Sequence, residues 1–318
     1  MRIFIAGATG VVGRRLVPML VDAGHDVVGL SRTEDGAHGL AARGARGAVG
    51  DVLDHGRMLE VLAGERPDVA MFQISGIPPV LGSGQTLEQF TQSVLVRTVG
   101  ARTVAEAARA AGARRLIAQS YAHIYAPRLG WVKQESDPLN LDEDVPEGRR
   151  RNVEAVVALE KAVRETPGLE GVVLRYGTLY GPGTAFARGG SIAALVRTRH
   201  YPLVGGGTGW TSFLHVDDAA RAAVLALDGS GGTFNICDDE PAPLHVWLPQ
   251  YAEALGAPTP RRVSAFAVRA LGREHFAYRS TRQRAADNRW ARAQLGFAPR
   301  YLSWREGFAA ELEPSAAA

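Results

Sequence analysis

Cysteine and lysine are almost missing from this 318-residue chain, which has one cysteine (Cys237) and two lysines (Lys133 and Lys161). A single thiol excludes a disulfide-stapled scaffold, and buried packing is its natural use. No run approaches the roughly 20 apolar residues that span a bilayer, so no membrane segment is expected. No basic-then-apolar leader is visible, and a reducing, cytoplasmic setting is expected. The eight histidines include no His-x-His or His-Glu-x-x-His spacing, so no metal site is expected. There is no Gly-x-Ser-x-Gly nucleophile elbow either. The remaining 34 of 36 basic residues are arginines, in scattered pairs and one triplet, Arg149 to Arg151, with a net charge of only +3. Spread in this way they read as solvated helix faces, not a nucleic-acid surface.

A 46% apolar share over this length is enough for one large or two closely joined domains. Early in the chain, short apolar runs at 2–6, 25–31, 69–74 and 115–120 alternate with helical spacings at 13–23 and 87–111. Apolar strands separated by helices pair in parallel and carry helices on both faces. The chain therefore reads as a doubly wound α/β protein. Beyond a proline- and charge-rich stretch at 127–147, helices are expected at 151–165 and 216–227, and strands at 171–175 and 233–236. Periodicity leaves the rest of the last third undefined.

Gly7, Gly10 and Gly13 follow the first strand and open the first helix, with Thr9, Val11 and Val12 between them. A tight turn that must approach a pyrophosphate needs glycine there. The helix N-terminus behind it offers free N–H groups and partial positive charge to the phosphates. This is a Rossmann-type dinucleotide site. The end of the second strand reads Ser31-Arg32-Thr33, where an NAD site usually places an acid for the ribose 2′-hydroxyl. A guanidinium suits a 2′-phosphate, so NADP is favoured over NAD, although Glu34 and Asp35 lie just beyond.

With these residues, the chain resembles the extended short-chain dehydrogenase/reductase family, which includes sugar-nucleotide epimerases and dehydratases. Further matches are Gly50-Asp51-Val52, Arg175-Tyr-Gly-Thr-Leu-Tyr-Gly-Pro182, Phe213-Leu-His-Val-Asp-Asp-Ala219 and Leu295-Gly-Phe297. The resemblance covers nearly the whole chain and says nothing of the substrate. It implies that Asp51 and Val52 flank the adenine, that Ile74, Ser75 and Gly76 pass beneath the cofactor, and that Tyr176, Gly177 and Thr178 lie near the nicotinamide. It also implies a nucleotide domain at 1–178 to which 213–237 returns, and a smaller mixed α/β substrate domain from 179–212 and 238–318. The helices at 87–111 and 151–165 correspond to those that pair subunits in many relatives, so a homodimer is implied.

The chain departs from the family where proton transfer takes place. Family catalysis uses Tyr-x-x-x-Lys on one helix face, the lysine lowering the tyrosine's pKa. Four residues before Lys133 is Leu129 and four before Lys161 is Val157, so the motif is absent. Aligned on Glu160, the tyrosine place holds Asn152 and the lysine place Val156. At the end of the fifth strand, Gln119-Ser120-Tyr121-Ala-His123-Ile-Tyr125 places Tyr121 where the family sets a serine or threonine. Tyr121 and Ser120 are the candidate catalytic residues, with His123, Asn152 and Trp210 as candidate substrate contacts. Tyr125 reads as structural, and Arg97 replaces a customary asparagine of the long helix.

The expected activity is an NADP-dependent oxidoreduction at a carbonyl or alcohol of a small molecule. Two alternatives stand beside it. One is redox-neutral epimerisation, dehydration or ring closure with a held cofactor; the other is a non-catalytic module that senses NADP.

Overall fold

The computed structural model describes residues 1–76, 87–142 and 144–312. Strands β1 (Arg2–Ala6), β2 (Asp26–Ser31), β3 (Arg46–Val49), β4 (Val69–Phe72), β5 (Arg115–Tyr121), β6 (Glu170–Tyr176) and β7 (Gly232–Ile236) form one parallel sheet. Their spatial order is β7-β6-β5-β4-β1-β2-β3. The order reverses between β1 and β4, and ligands of such sheets bind in the crevice beyond the strands' carboxyl ends at that point.

Alternation along the strands explains the two faces. Ile3 and Ile5 of β1 join Met71, Ile117, Val172 and Leu174 under α1 (Gly13–Asp22) and α8 (Val216–Leu225). Phe4 and Ala6 join Phe72, Leu116 and Val173 on the other face. That second layer comes from α3 (His55–Glu65), α5 (Ala101–Ala110) and α6 (Glu147–Glu165). The helix α2 (Glu34–Ala41) follows β2, and α7 (Ser191–Arg197) follows β6.

The single helix expected at 87–111 is three pieces. The helix α4 (Leu87–Leu95) runs through a π-helical turn, Val96–Gly100, into α5. At Gly100, the last residue of that turn, a Cβ would lie 2.9 Å from Val52 Cγ2, so the helix packs closely on the segment after β3. The helix expected at 151–165 begins one turn earlier, at Glu147. No helix among the described residues is long and apolar enough to cross a membrane.

The last third, undefined by periodicity, is built from α9 (Leu244–Ala254), α10 (Ala265–Ala270), α11 (Glu274–Arg282), α12 (Arg289–Leu295), α13 (Trp304–Leu312) and two-residue strands. Its core is aromatic. Phe213 meets Trp247 edge to face at 5.3 Å, and Tyr251 meets Phe308 at 4.9 Å. Residues 313–318, the end of the expected substrate domain, lie outside the described residues.

Candidate active site

The turn after β1 is pressed against the end of β4. Gly7 has φ +100°, and a Cβ on it would lie 2.4 Å from the Gln73 carbonyl oxygen. Gly10 N–H donates to the Gly7 carbonyl at 3.0 Å, and a Cβ on Gly13 would strike that same carbonyl at 2.2 Å. The helix α1 then starts with no side-chain cap and no acid in its first turn, which leaves its N-terminal field for an anion. Gly7, Thr9, Gly10, Val11 and Val12 line a cleft of about 1250 Å³. The cleft wall continues through Arg32, Asp51 and Val52, then Ile74, Ser75 and Gly76, and finally Tyr176, Gly177 and Thr178. Of the expected cofactor residues only Gly13 is absent from the wall, because it lies beneath the turn.

Arg32 is exposed and makes no ion pair among the described residues. Glu34 and Asp35 do not fold back to the cleft. They form the first turn of α2, capped by Thr33 Oγ1, which accepts the Gly36 N–H at 3.2 Å. Asp51 Oδ1 accepts the Leu53 N–H at 3.0 Å. The Tyr176 hydroxyl donates to the Ala219 carbonyl at 3.0 Å, and burial pushes its phenol up.

The carboxyl end of β5 divides its side chains. Ser120 Oγ donates to Glu160 Oε1 at 2.7 Å inside a buried network. Arg175 holds both oxygens of Glu160 and donates to the Tyr125 hydroxyl, which in turn donates to Asn235 Oδ1 at 2.7 Å. The Ser120 hydroxyl, a catalytic candidate by sequence, is thus bonded to α6, and Ser120 also lines the cleft. Tyr121, next along the strand, turns the other way and lines the cleft.

Two expected substrate contacts lie elsewhere. His123 is fully buried behind Tyr121, with ring centroids 5.0 Å apart, and its Nε2 accepts the Ser212 N–H at 3.0 Å. Burial, helped by Arg279 and Arg149, pushes it down to about 3, so it stays neutral. Trp210 sits in a short strand paired with Ala242–Pro243, and its ring stacks on Trp131 at 6.4 Å, away from the cleft.

Asn152 does line the cleft, and its Oδ1 accepts from the Arg97 guanidinium. Arg97 comes from the π-helical turn, is 5% exposed and is pushed down to about 10 by burial. Extra residues in such turns re-aim a side chain, and they recur at functional sites. One turn beyond Asn152, Val156 is wholly buried beside Ile124 and Val153. Of the two positions aligned by Glu160, Asn152 thus presents an amide to the cleft and Val156 is buried hydrocarbon.

The triplet Arg149 to Arg151 is split by the helix. At 100° per residue only one of three can face inward. Arg149 does, at 3% exposure, with Nη2 donating to the His123 carbonyl at 2.8 Å. Arg150 and Arg151 stay outside, paired with Glu154 and Glu147. The reading of the triplet as a solvated face therefore fails for Arg149. Arg279, from α11, reaches the same part of the cleft. Neither Arg149 nor Arg279 was singled out by sequence, since nothing local marks an arginine whose neighbours arrive from other elements.

Comparison with known proteins agrees with this architecture. The profile of the "NAD dependent epimerase/dehydratase family" matches residues 3–237. A Streptomyces protein named 3-diazoavenalumate denitrifying reductase is 44% identical over 313 residues, covering 98% of this chain and 100% of its own. A Stigmatella aurantiaca ketoreductase of a farnesyl-dihydroquinoline oxide is 28% identical over 263 residues, covering 80% of this chain and 74% of its own. The UDP-glucose 4-epimerase of Thermotoga maritima superposes with a TM-score of 0.74 at 20% identity over 98% of this chain and 97% of that one, a likeness of fold alone.

Proposed function

This chain belongs to the NAD-dependent epimerase/dehydratase family and is an enzyme of oxidoreductase or epimerase/dehydratase type; from that premise we propose that it is an NADPH-dependent reductase whose hydride acceptor is an aryl diazo group. What supports this reading is how the residues at the family's proton-relay places are engaged: Asn152 accepts from Arg97, Val156 is buried hydrocarbon and Ser120 Oγ donates to Glu160. A ketone acceptor needs a proton delivered to its oxygen as hydride arrives at carbon. NADPH held in the cleft would supply hydride, and an aryl diazonium carbon that took it in exchange for N2 would become Ar–H, a two-electron reduction that needs no proton from the protein. The name of the 44% identical Streptomyces relative describes a reduction of this kind.

The residues of the first half of the cleft fit the dinucleotide. The glycine turn and the uncapped start of α1 would hold the diphosphate, and Arg32 would meet the 2′-phosphate. What supports NADPH over NADH is that Arg32 has no ion-pair partner among the described residues and the neighbouring acids are engaged in starting α2. In the other half, Asn152 and Arg97 brace each other and orient whatever lies across them from the sheet edge.

A second reading, reduction of a carbonyl, rests on Tyr121, whose side chain lines the cleft at the sheet's edge. Deuterium separates the two. With NADPH labelled at the transferable position and an aryl diazonium acid as substrate, the proposal expects consumption of NADPH, release of N2 and deuterium on the ring carbon. Absence of label from the arene overturns it. Tyr121→Phe is expected to leave that turnover within about threefold, whereas a phenol acting as general acid is worth about 10²- to 10⁴-fold.

A further inference from the structure

Arg149, from the first turn of α6, and Arg279, from α11, line one cleft, and neither bonds an acid among the described residues. Arg149 is buried, its Nε–H has no acceptor, and its guanidinium lies 4.9 Å over the Tyr278 ring. The positive charge of Arg279 acts unfavourably on it. Neither arginine forms an ion pair among the described residues. The groups that face them are Tyr121, Tyr201, Tyr278, His123 and His275, none of them a carboxylate. Glu147 is engaged with Arg151 at 2.5 Å, and Glu274, at the start of α11, pairs with neither arginine. Two like charges brought together in a poorly solvated cleft are strongly unfavourable unless an anion joins them.

We propose that Arg149 and Arg279 clamp the carboxylate of an aromatic acid substrate. This rests on the reductase reading and names the substrate class. A planar carboxylate accepts paired N–H donors from guanidinium groups. The walls beside the clamp are Phe186, Ile192, Tyr201, Leu271 and Phe276, which suit an aryl or conjugated chain. A hexose would leave its hydroxyls facing those hydrocarbons. Tyr121 lines the same cleft as Arg149, Arg279 and the Arg97–Asn152 pair. The acid group is thereby held at the α11 side while the ring extends toward the sheet edge.

Equilibrium binding tests this without requiring any reduction. Isothermal titration of the NADP⁺-loaded protein with 4-hydroxycinnamate and with its primary amide is expected to favour the acid at least tenfold. Arg279→Gln is expected to remove that preference while leaving NADP⁺ affinity unchanged, and Arg279→Lys to keep part of it. Arg279 carries the test because Arg149 also supports the His123 carbonyl. The proposal is overturned if acid and amide bind alike or not at all, if Arg279→Gln still discriminates, or if UDP-glucose binds where the acid does not. Failure to reduce a diazo compound, with the acid preference intact, would sink the reductase reading alone.

Discussion

The guanidinium of Arg175 meets both carboxylate oxygens of Glu160, at 2.8 and 2.7 Å, with the two side chains 6% and 3% exposed. The pair locks β6 to α6, and Ser120 and Tyr125 hang from it. Burial alone would lower the arginine's proton affinity, but the bonds to Glu160 and Tyr125 raise it. Removing one partner leaves a buried charge uncompensated, which costs about 3–5 kcal/mol. Glu160→Gln is therefore expected to lower the unfolding free energy from urea titration by that order, and Glu160→Leu with Arg175→Met to recover most of the loss. Equal stability of Glu160→Gln and the parent would show that the pair does not hold the helix.

At the other end of the cleft, the proposed preference for NADPH rests on Arg32. A hydrogen bond to a charged group contributes about 1.5–3 kcal/mol, so Arg32→Ala is expected to weaken NADPH about 10- to 100-fold. NADH affinity should stay unchanged, because the unphosphorylated ribose gives this side chain nothing to hold. Calorimetric titration of both cofactors against both proteins decides it, and parallel losses for the two would remove Arg32 from the discrimination.

Gly7→Ala strikes the same half through the backbone. The new methyl would be 2.4 Å from the Gln73 carbonyl oxygen, on a residue at φ +100°. The turn must shift away from β4, and the cleft floor moves with it. The expected result is loss of measurable NADPH binding together with a lower melting temperature. Gly24→Ala, also at positive φ but with open space around it, should lower stability without touching cofactor affinity.

How much of this was legible in the amino-acid order depends on the range of each signal. The glycine turn and Arg32 lie within one strand–turn–helix unit and the strand that follows, so local spacing located them, while Asp51 came from the family resemblance. All but Gly13 line the cleft. The absence of Tyr-x-x-x-Lys was equally visible, since two lysines can be checked one at a time. The substrate end was not. Arg279 arrives from a short helix far along the chain, and the inward aim of Arg97 depends on a π-helical turn that leaves no periodic trace. His123 and Trp210 were placed by nearness in sequence, but strand register decides such cases: one residue's shift exchanges cleft for core.

The buried imidazole of His123 gives the fold a pH dependence of definite sign. In the unfolded chain it takes a proton near its ordinary 6.5; in the fold it resists until about 3. Between those values the unfolded state binds more protons, so stability is full above 6.5 and is lost as pH falls toward 3. The slope contributed is up to about 1.4 kcal/mol per pH unit. Urea unfolding at several pH values through this window should show a shallower decline for His123→Gln, which keeps an acceptor for the Ser212 N–H. Parallel declines would mean that carboxylates alone set the acid limit.

Restoring the family's lysine tests whether the altered site is a fixed feature of the packing. Val156 is wholly buried with Ile124 and Val153, and no acid of that cluster awaits an ammonium. An uncompensated charge there costs about 3–5 kcal/mol. Val156→Lys is expected to lower stability by that order. Pairing it with Asn152→Tyr should not create ketone reduction, because the Arg97 guanidinium that now bonds Asn152 would be left without its acceptor beside the new phenol. Unfolding midpoints and NADPH turnover against a ketone panel check both halves. A stable double variant that reduces ketones would show instead that this cleft lacks only two side chains of an ordinary carbonyl reductase.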